Sequence, residues 1–440
     1  MIVTPARVPA TRPLAATLYG YAFLTDFVLL YPLYVLLFAD TGLSVGQISS
    51  LFVIWSATGI LLEVPSGAWA DAVSRRLLLA LAPLLPAVAF ALWVFVPSYP
   101  AFAVGFVLWG AGGALRSGAL EALVFTELDR LGAADRYARL MGRARTADVA
   151  AAAASGALAG PVFALGGYPA VGVASIGACL LAAAVATRFP EHRAVPAAGP
   201  TAGAGGPGPD DGDDEPGWLA SLRAGLAAAR ADRTVRAALL LVPAVTAVWG
   251  GLDEYTGLLA RDTGVSEATV PLLLLLLWGG MTVGGLLTPV GERLTTGGYA
   301  GLLVLAASTL AVGALLGRPA GFLLLAVAFA AFQLATVLAD ARLQARITGT
   351  ARATVTSVAG MATDLTIVAF YGAYGLVAGA AGNALAFALA AVSYLAVALW
   401  LAARRGAVDA RRGGPPPAAG AVGDPGRPAN RQLPEKSSPS

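Results

Sequence analysis

After a short polar start, hydrophobic residues run along the chain in long unbroken stretches, and the charged residues gather between them. A run such as Leu272 to Trp278 does not alternate in polarity, so the short alternating strands of a closed barrel do not fit. Helices, which satisfy their own backbone hydrogen bonds, are the remaining way to cross lipid. About 20 apolar residues are needed to span a hydrocarbon core roughly 30 Å thick. On that length the pattern predicts helices near 14–38, 47–70, 77–96, 101–127, 142–164 and 167–188, then near 235–259, 267–290, 298–316, 320–343, 354–378 and 381–402, twelve in all. Residues 1–13 are too few, and the first apolar run too long, for a cleaved signal segment, so the first span is expected to stay.

Composition agrees with this pattern. A chain that is 57% hydrophobic and 12% charged, with a mean hydropathy of +0.72, is an integral membrane protein rather than a water-soluble one. The net charge of +3 is small, and its placement says more than its size. Short loops rich in Arg stay on the cytoplasmic side. Arg7 and Arg12 precede the first span, Arg75 and Arg76 follow the second, and Arg130, Arg136, Arg139, Arg143 and Arg145 surround the connection after the fourth. In the second half, Arg293, then Arg342, Arg346 and Arg352, then Arg404 and Arg405 fall on the same side. Arg261 and Arg318 fall on the opposite side and break the rule. Both termini are therefore expected in the cytoplasm, with the protein in the cell membrane.

The segment 189–234 divides the two sets of six spans. It is rich in Pro, Gly and Ala, ends its first part in the acidic run 210–215, and cannot bury enough apolar surface to fold. It is expected to be a cytoplasmic linker. Trp218, Leu219, Leu222 and Leu226 share one helical face with Arg223 and Arg230 at its border, which suggests an interfacial helix or an extension of the seventh span. The organisation is then a cytoplasmic start over 1–13, a bundle over 14–188, the linker, a second bundle over 235–402 and a disordered tail over 403–440.

The most informative short segment joins the second and third spans: Gly67, Asp71, Ser74, Arg75 and Arg76. It resembles the Gly-x-x-x-Asp-x-x-Gly-Arg-Arg/Lys signature of the major facilitator superfamily of transporters, with Ser74 in the place of the second Gly. The resemblance covers about 14–402. It implies an all-α membrane fold of two pseudo-symmetric six-helix bundles that rock around a midplane site. It also implies a conformational latch in which Asp71 meets a helix end or an Arg while Gly67 lets helices approach. Arg75 and Arg76 serve equally as topology signals. In the fifth span, Gly156, Gly160 and Pro161 are similar to the Gly-x-x-x-Gly-Pro motif of drug:proton antiporters in that superfamily, although the Gly166-Gly167 pair stands about two residues farther from the Pro than is usual there. Close helix packing alone also accounts for such small residues.

Ionisable groups in hydrocarbon cost about 3 kcal/mol or more and usually face an interior cavity. Asp26, in the middle of the first span, and Asp364, in the middle of the eleventh, are the preferred proton carriers, because desolvation favours the neutral form of a carboxylate. Tyr31, Glu63, Arg116, Glu121, Asp253 and Glu254 are candidates to line the cavity or meet substrate, with Arg116 suited to hold a carboxylate or an anion. Glu121, Asp148, Asp340 and Arg342 read equally as structural pairs at the cytoplasmic ends. Tyr19, Phe23, Tyr31, Trp55, Trp109, Trp249, Phe332, Tyr371 and Tyr374 could form an amphipathic wall, though aromatic belts explain many such rings.

The sequence also excludes several chemistries. The only lysine, Lys436, lies in the tail, so no phosphate loop exists, and one histidine with one cysteine cannot build a zinc site or a nucleophile pair. No catalytic set, metal or cofactor is expected; a proton gradient is the expected energy source. The expected partners are a small-molecule substrate and the lipid bilayer, with no nucleic acid and a monomeric chain. The reading that follows is a secondary active transporter working by alternating access, with proton-coupled efflux of drug-like or amphipathic compounds placed first. Uptake or facilitated movement of a metabolite, and a scaffold or sensor without transport, are the alternatives.

Overall fold

The computed structural model describes residues 11–192, 233–346 and 352–412. The surroundings of Gly67 and the Asp71 side chain lie outside what is described, as do residues 193–232 of the expected linker, with the expected interfacial helix near 218–230, and the tail from 413.

Helices form where the apolar runs are longest. Among the described residues no strand occurs, and ten helical segments are long and apolar enough to cross a membrane. Two of the twelve expected spans are hidden in that count for physical reasons. The helix Tyr137–Ala186 has 50 residues. At 1.5 Å per residue it would run about 75 Å, more than twice the thickness of a bilayer core. It folds back at Gly166 and at Gly167, whose φ of 62° is open to glycine and strained for other residues. The first span is the other case. It breaks into Arg12–Asp26 and Tyr34–Asp40, neither long enough to be counted. Phe27 leaves the helical region where the first piece ends (φ −82°, ψ 65°), and Pro32, which has no N–H to give, prevents a continuous helix from running through the segment. The freed Leu30 N–H is taken by Ser175 Oγ at 3.0 Å, so the break is satisfied inside the protein. The structure is thus consistent with twelve crossings, and the expectation of a continuous helix over 14–38 is corrected.

In chain order the helices are α1 (Arg12–Asp26), α2 (Tyr34–Asp40), α3 (Val45–Ala72), α4 (Arg75–Leu81), α5 (Leu84–Phe95), α6 (Tyr99–Arg130) and α7 (Tyr137–Ala186). After the linker come α8 (Arg233–Asp253), α9 (Thr256–Asp262), α10 (Val270–Leu286), α11 (Thr288–Gly291), α12 (Thr296–Leu315), α13 (Gly321–Gln344), α14 (Arg352–Ala381) and α15 (Asn383–Arg412). The seventh span breaks as the first does, at Glu254 and Tyr255 between α8 and α9. Loop residues cap the helices that follow. Ser44 and Gln47 form a reciprocal capping box at the start of α3, and Thr295 caps α12 by accepting from the Gly298 N–H.

Helices pack mainly within their own half of the chain: α1 on α7, α3 on α6 and α5 on α6 and α7 in the first half, α12 on α15 and α10 on α13 in the second. The halves meet along α3 with α14 and along α7 with α10. Glycine sets the closest approaches. A Cβ at Gly280 would lie 2.3 Å from the Ala326 carbonyl oxygen, and one at Gly284 would lie 2.1 Å from that of Ala330. These glycines are four residues apart, one turn along α10, so α13 lies directly on the α10 backbone.

Gly284→Leu is therefore expected to lower the unfolding free energy of the purified protein by about 1–3 kcal/mol, the usual cost of overpacking, or more if α10 and α13 separate. Gly301→Ala on α12, where the space around the glycine is open, is expected to leave thermal unfolding unchanged or to raise it slightly.

Candidate functional site

A cavity of about 770 Å³ lies between the halves. Tyr21, Asp26 and Tyr31 from the first span, Trp109 and Arg116 from α6, Arg145 and Ser155 from α7, Asp253 from α8, Trp278 from α10 and Gln333 from α13 line it. A second cavity of about 560 Å³ is lined by Trp55, Glu63, Glu254, Asp364 and Tyr371. The two share Trp109, Gly113 and Arg116, which makes them lobes of one space.

One end of this space is shut. Among the described residues, the hydrogen bonds and ion pairs that join the two halves all lie there. Tyr34 donates to Glu254, tying the break in the first span to the break in the seventh. Ser49 and Tyr255 share a hydrogen bond at 2.7 Å, and Arg261 pairs with Asp40 at 2.9 Å. Tyr168 donates to the same Asp40 at 2.6 Å. Close backbone contacts back these polar ones: a Cβ at Gly375 would lie 2.7 Å from Ser49 Oγ, and one at Gly160 would lie 2.2 Å from the Ala268 carbonyl oxygen. Gly156 faces Leu275 and Trp278 in the same seam. The glycines of the antiporter-like motif thus sit where the two halves touch, and Pro161 follows them inside α7.

At the other end lie the Arg-rich connections. Ser74 caps α4 by accepting from the Leu77 N–H, which gives a local reason for Ser where the superfamily signature has Gly. Ser74 also donates to Glu191, and the Arg75 N–H reaches the same carboxylate at 2.7 Å. Arg75 Nη1 donates to Thr126 Oγ1 at 3.0 Å, so this arginine binds the end of α6 besides marking topology. Arg76 is exposed. Buried Glu127 accepts from the His192 N–H at 2.8 Å and from Arg130 at 3.1 Å, which fixes the start of the linker beneath the first half. Gly67 and Asp71 fall on the last turns of α3, next to this cluster, and their side-chain contacts lie outside the described residues.

The candidate site residues fall into three groups. Asp26 faces Arg116 at 3.8 Å, each about a third exposed to the cavity, and the Asp148 carboxyl lies beside Asp26. Asp148 is also 3.7 Å from Arg145. Two carboxyl groups in such contact have a donor between them only if one carries a proton. The second group is Asp364 of the second half with Glu63 of the first, facing one another across the smaller lobe. The third is Asp253 with Glu254 at the break between α8 and α9, beside Tyr31, Tyr34 and Trp278.

Glu121 does not belong to the cavity. It is exposed and beside Tyr137, because five residues beyond Arg116 is a turn of about 140° round the helix. Trp249 and Phe332 are likewise absent from the cavity wall: both pack inside the second half, where the Trp249 indole N–H donates to Thr336. Tyr374 stacks on Tyr255 at the shut end, 3.7 Å between ring centres. Sequence reasoning missed Trp278, hidden in a leucine-rich run, and the pairing of Arg261 with Asp40. Its signal was Arg261 itself, a charge out of place under the loop-charge rule.

Residues 16–369, well over half of the chain, match the family model described as Major Facilitator Superfamily. No curated protein sequence matches the chain. Among solved structures, the chain is similar to a bacterial homologue of the human lysosomal transporter Spinster, inward-facing and unoccupied, with 16% identity, a TM-score of 0.63 and coverage of 89% of this chain and 94% of that one. It is similar also to the nucleoside transporter NupG, with 11% identity, a TM-score of 0.70 and coverage of 89% and 99%. A D-xylose–proton symporter shows 15% identity, a TM-score of 0.59 and coverage of 88% and 96%. At these identities the likeness concerns the fold.

Two contacts at the shut end should differ in weight. The Asp40–Arg261 pair is about a third exposed, and such pairs contribute about 0–1 kcal/mol. Tyr34→Phe removes the donor to Glu254 inside the protein, which costs about 1–3 kcal/mol. Thermal unfolding of the purified variants is expected to show a larger drop for Tyr34→Phe than for Arg261→Ala, and the reverse order would refute this weighting.

Proposed function

The chain belongs to the Major Facilitator Superfamily and is a multi-pass membrane protein built for secondary transport, and on that premise we propose that it exports a small amphipathic compound in exchange for protons. The observation that carries this reading is the Asp26–Arg116–Asp148 cluster, of which Asp26 and Arg116 line the cavity. A proton on one aspartate allows the two carboxyl groups to bond. Its loss leaves both charged, and Arg116 then becomes the partner that either aspartate needs. The cluster joins α1, α6 and α7, so a change of proton alters contacts among three helices that line the cavity.

Alternating access follows from the shut and open ends. With the Arg-rich connections in the cytoplasm, as the loop-charge rule has it, the shut end faces outward and both termini are cytoplasmic, in the cell membrane. To open outward, the seam at Tyr34–Glu254, Ser49–Tyr255 and Asp40–Arg261 parts, and the two halves close over the Arg-rich end. That closure moves Glu63 and Asp364 against each other, which favours a proton on one of them. The latch motif at Gly67, Asp71, Arg75 and Arg76 lies at the end that closes. Export rather than uptake is supported by the position of Gly156 and Gly160 in the seam, at the place of the antiporter-like motif.

Uptake by symport is the second reading, favoured by the likeness to D-xylose–proton and fucose–proton symporters. The two differ in the sign of one signal. In proteoliposomes holding a pH-sensitive dye, with the lumen acidic, a transported compound from a mixed panel of cationic, neutral and anionic amphiphiles is expected to discharge the gradient as it enters the lumen. Asp26→Asn is expected to reduce this discharge at least tenfold while leaving compound-for-compound exchange. Proton movement in the same direction as the compound would favour symport, and an unchanged signal in Asp26→Asn would remove the cluster from the mechanism.

A further inference from the structure

The floor of the cavity, at its shut end, has a chemical bias of its own. Asp253 Oδ1 is fully buried and has no hydrogen-bond partner among the described residues. The other side of the group is approached by the Trp278 indole, and its neighbour Glu254 accepts from Tyr34. Among the described residues no Arg or Lys lies within ion-pair distance of Asp253, Glu254, Glu63 or Asp364, whereas Asp26 and Asp148 each have an arginine close by. The cavity arginines are thus matched to the first aspartates, and among the described residues none pairs with the floor carboxylates.

Helix ends add to it. α1 ends at Asp26 and α8 ends at Asp253, so two helix C-termini, each carrying about half a negative charge, lie at the cavity. The breaks that follow bring no compensating cation. A buried carboxylate oxygen without a donor is costly unless a proton or another positive group reaches it.

The walls beside this oxygen are aromatic. Tyr31 lies 6.1 Å from Trp109 and 5.9 Å from Trp278, ring centre to ring centre, and a void of about 10 Å³ separates Tyr31, Tyr34, Trp278 and the two carboxylates. Ring faces attract organic cations and give nothing comparable to an anion. The larger lobe of about 770 Å³ continues from this floor and has room for a bulky apolar body.

We infer that the cavity floor binds the charged group of an organic monocation, set against Asp253 Oδ1 and Glu254, with its apolar part between Tyr31, Trp109 and Trp278. This names the substrate class of the transport reading above and rests on it for its biological use, but the site itself requires no proton gradient. The void alone is water-sized, so a small inorganic cation such as sodium is the competing occupant, and the aromatic walls favour the organic one.

The test uses two ions of one shape and opposite charge, tetraphenylphosphonium and tetraphenylborate, on the full-length protein in neutral detergent. Radiolabelled tetraphenylphosphonium is expected to bind saturably, and tetraphenylborate is expected not to compete. Asp253→Asn is expected to weaken binding at least tenfold, and Asp253→Glu to restore most of it, both with unchanged melting temperature. Because the comparison of the two ions needs no variant, it decides the matter even if Asp253→Asn misfolds. No saturable binding, equal competition by tetraphenylborate, or equal affinity in a folded Asp253→Asn would each overturn the site. Displacement by millimolar sodium but not choline, lost in Asp253→Asn, would assign the floor to the inorganic ion instead. Binding as expected without proton-linked flux in proteoliposomes would keep the site and remove the transport reading. Flux of neutral compounds alone would do the reverse.

Discussion

Carrying a carboxylate into hydrocarbon costs about 3 kcal/mol or more, and this chain holds Asp26, Glu63, Asp148, Asp253, Glu254 and Asp364 within its apolar spans. Most of the architecture can be understood as the way that cost is met. All of these groups but Asp148, which lies beside Asp26, line one space between the halves. The breaks in the first and seventh spans belong to the same arrangement, since irregular backbone at membrane depth survives only where protein or a cavity covers it. Ser175 closes the first break from within, and Tyr34 joins the two across the halves.

The contacts that shut one end of the cavity share residues with its floor. Glu254 belongs to the floor and is also the acceptor of the Tyr34 bond that joins the halves. Trp278 walls the floor and also lies against Gly156 in the seam. A charge change or an occupant at the floor therefore acts on the same side chains that hold the halves together. That shared membership is a physical route for coupling, shorter than any relay through the helices.

Much of this was legible in the sequence, and the exceptions have physical causes. Apolar length anticipated the ten helical segments long enough to cross a membrane, in a fold consistent with twelve crossings, because lipid leaves a helix few alternatives. The continuity of the first span was misjudged, since the missing N–H of Pro32 is a local constraint that hydropathy does not weigh. Asp26, Arg116, Glu63, Asp253, Glu254 and Asp364 reach the cavity as their place in apolar runs suggests. Glu121 does not, because its azimuth on α6 depends on where the helix packs, not on its depth. Pairing across the halves was invisible: nothing in the sequence joins Tyr34 to Glu254 or Asp40 to Arg261, residues more than 200 positions apart. The close contacts at Gly280 and Gly284 were lost in a chain with 53 glycines.

The central claim is that protons on the cavity carboxylates decide which end of the molecule is open. Pulsed electron resonance between spin labels tests it most directly, with one pair at Thr41 and Thr263 beside the shut end and another at Arg143 and Glu292 beside the open end, in a Cys179→Ala background. As pH is changed, the two distance distributions should shift in opposite senses over the same range, and Asp26→Asn should flatten that dependence. Distributions that ignore pH, or that lengthen and shorten together, would contradict it.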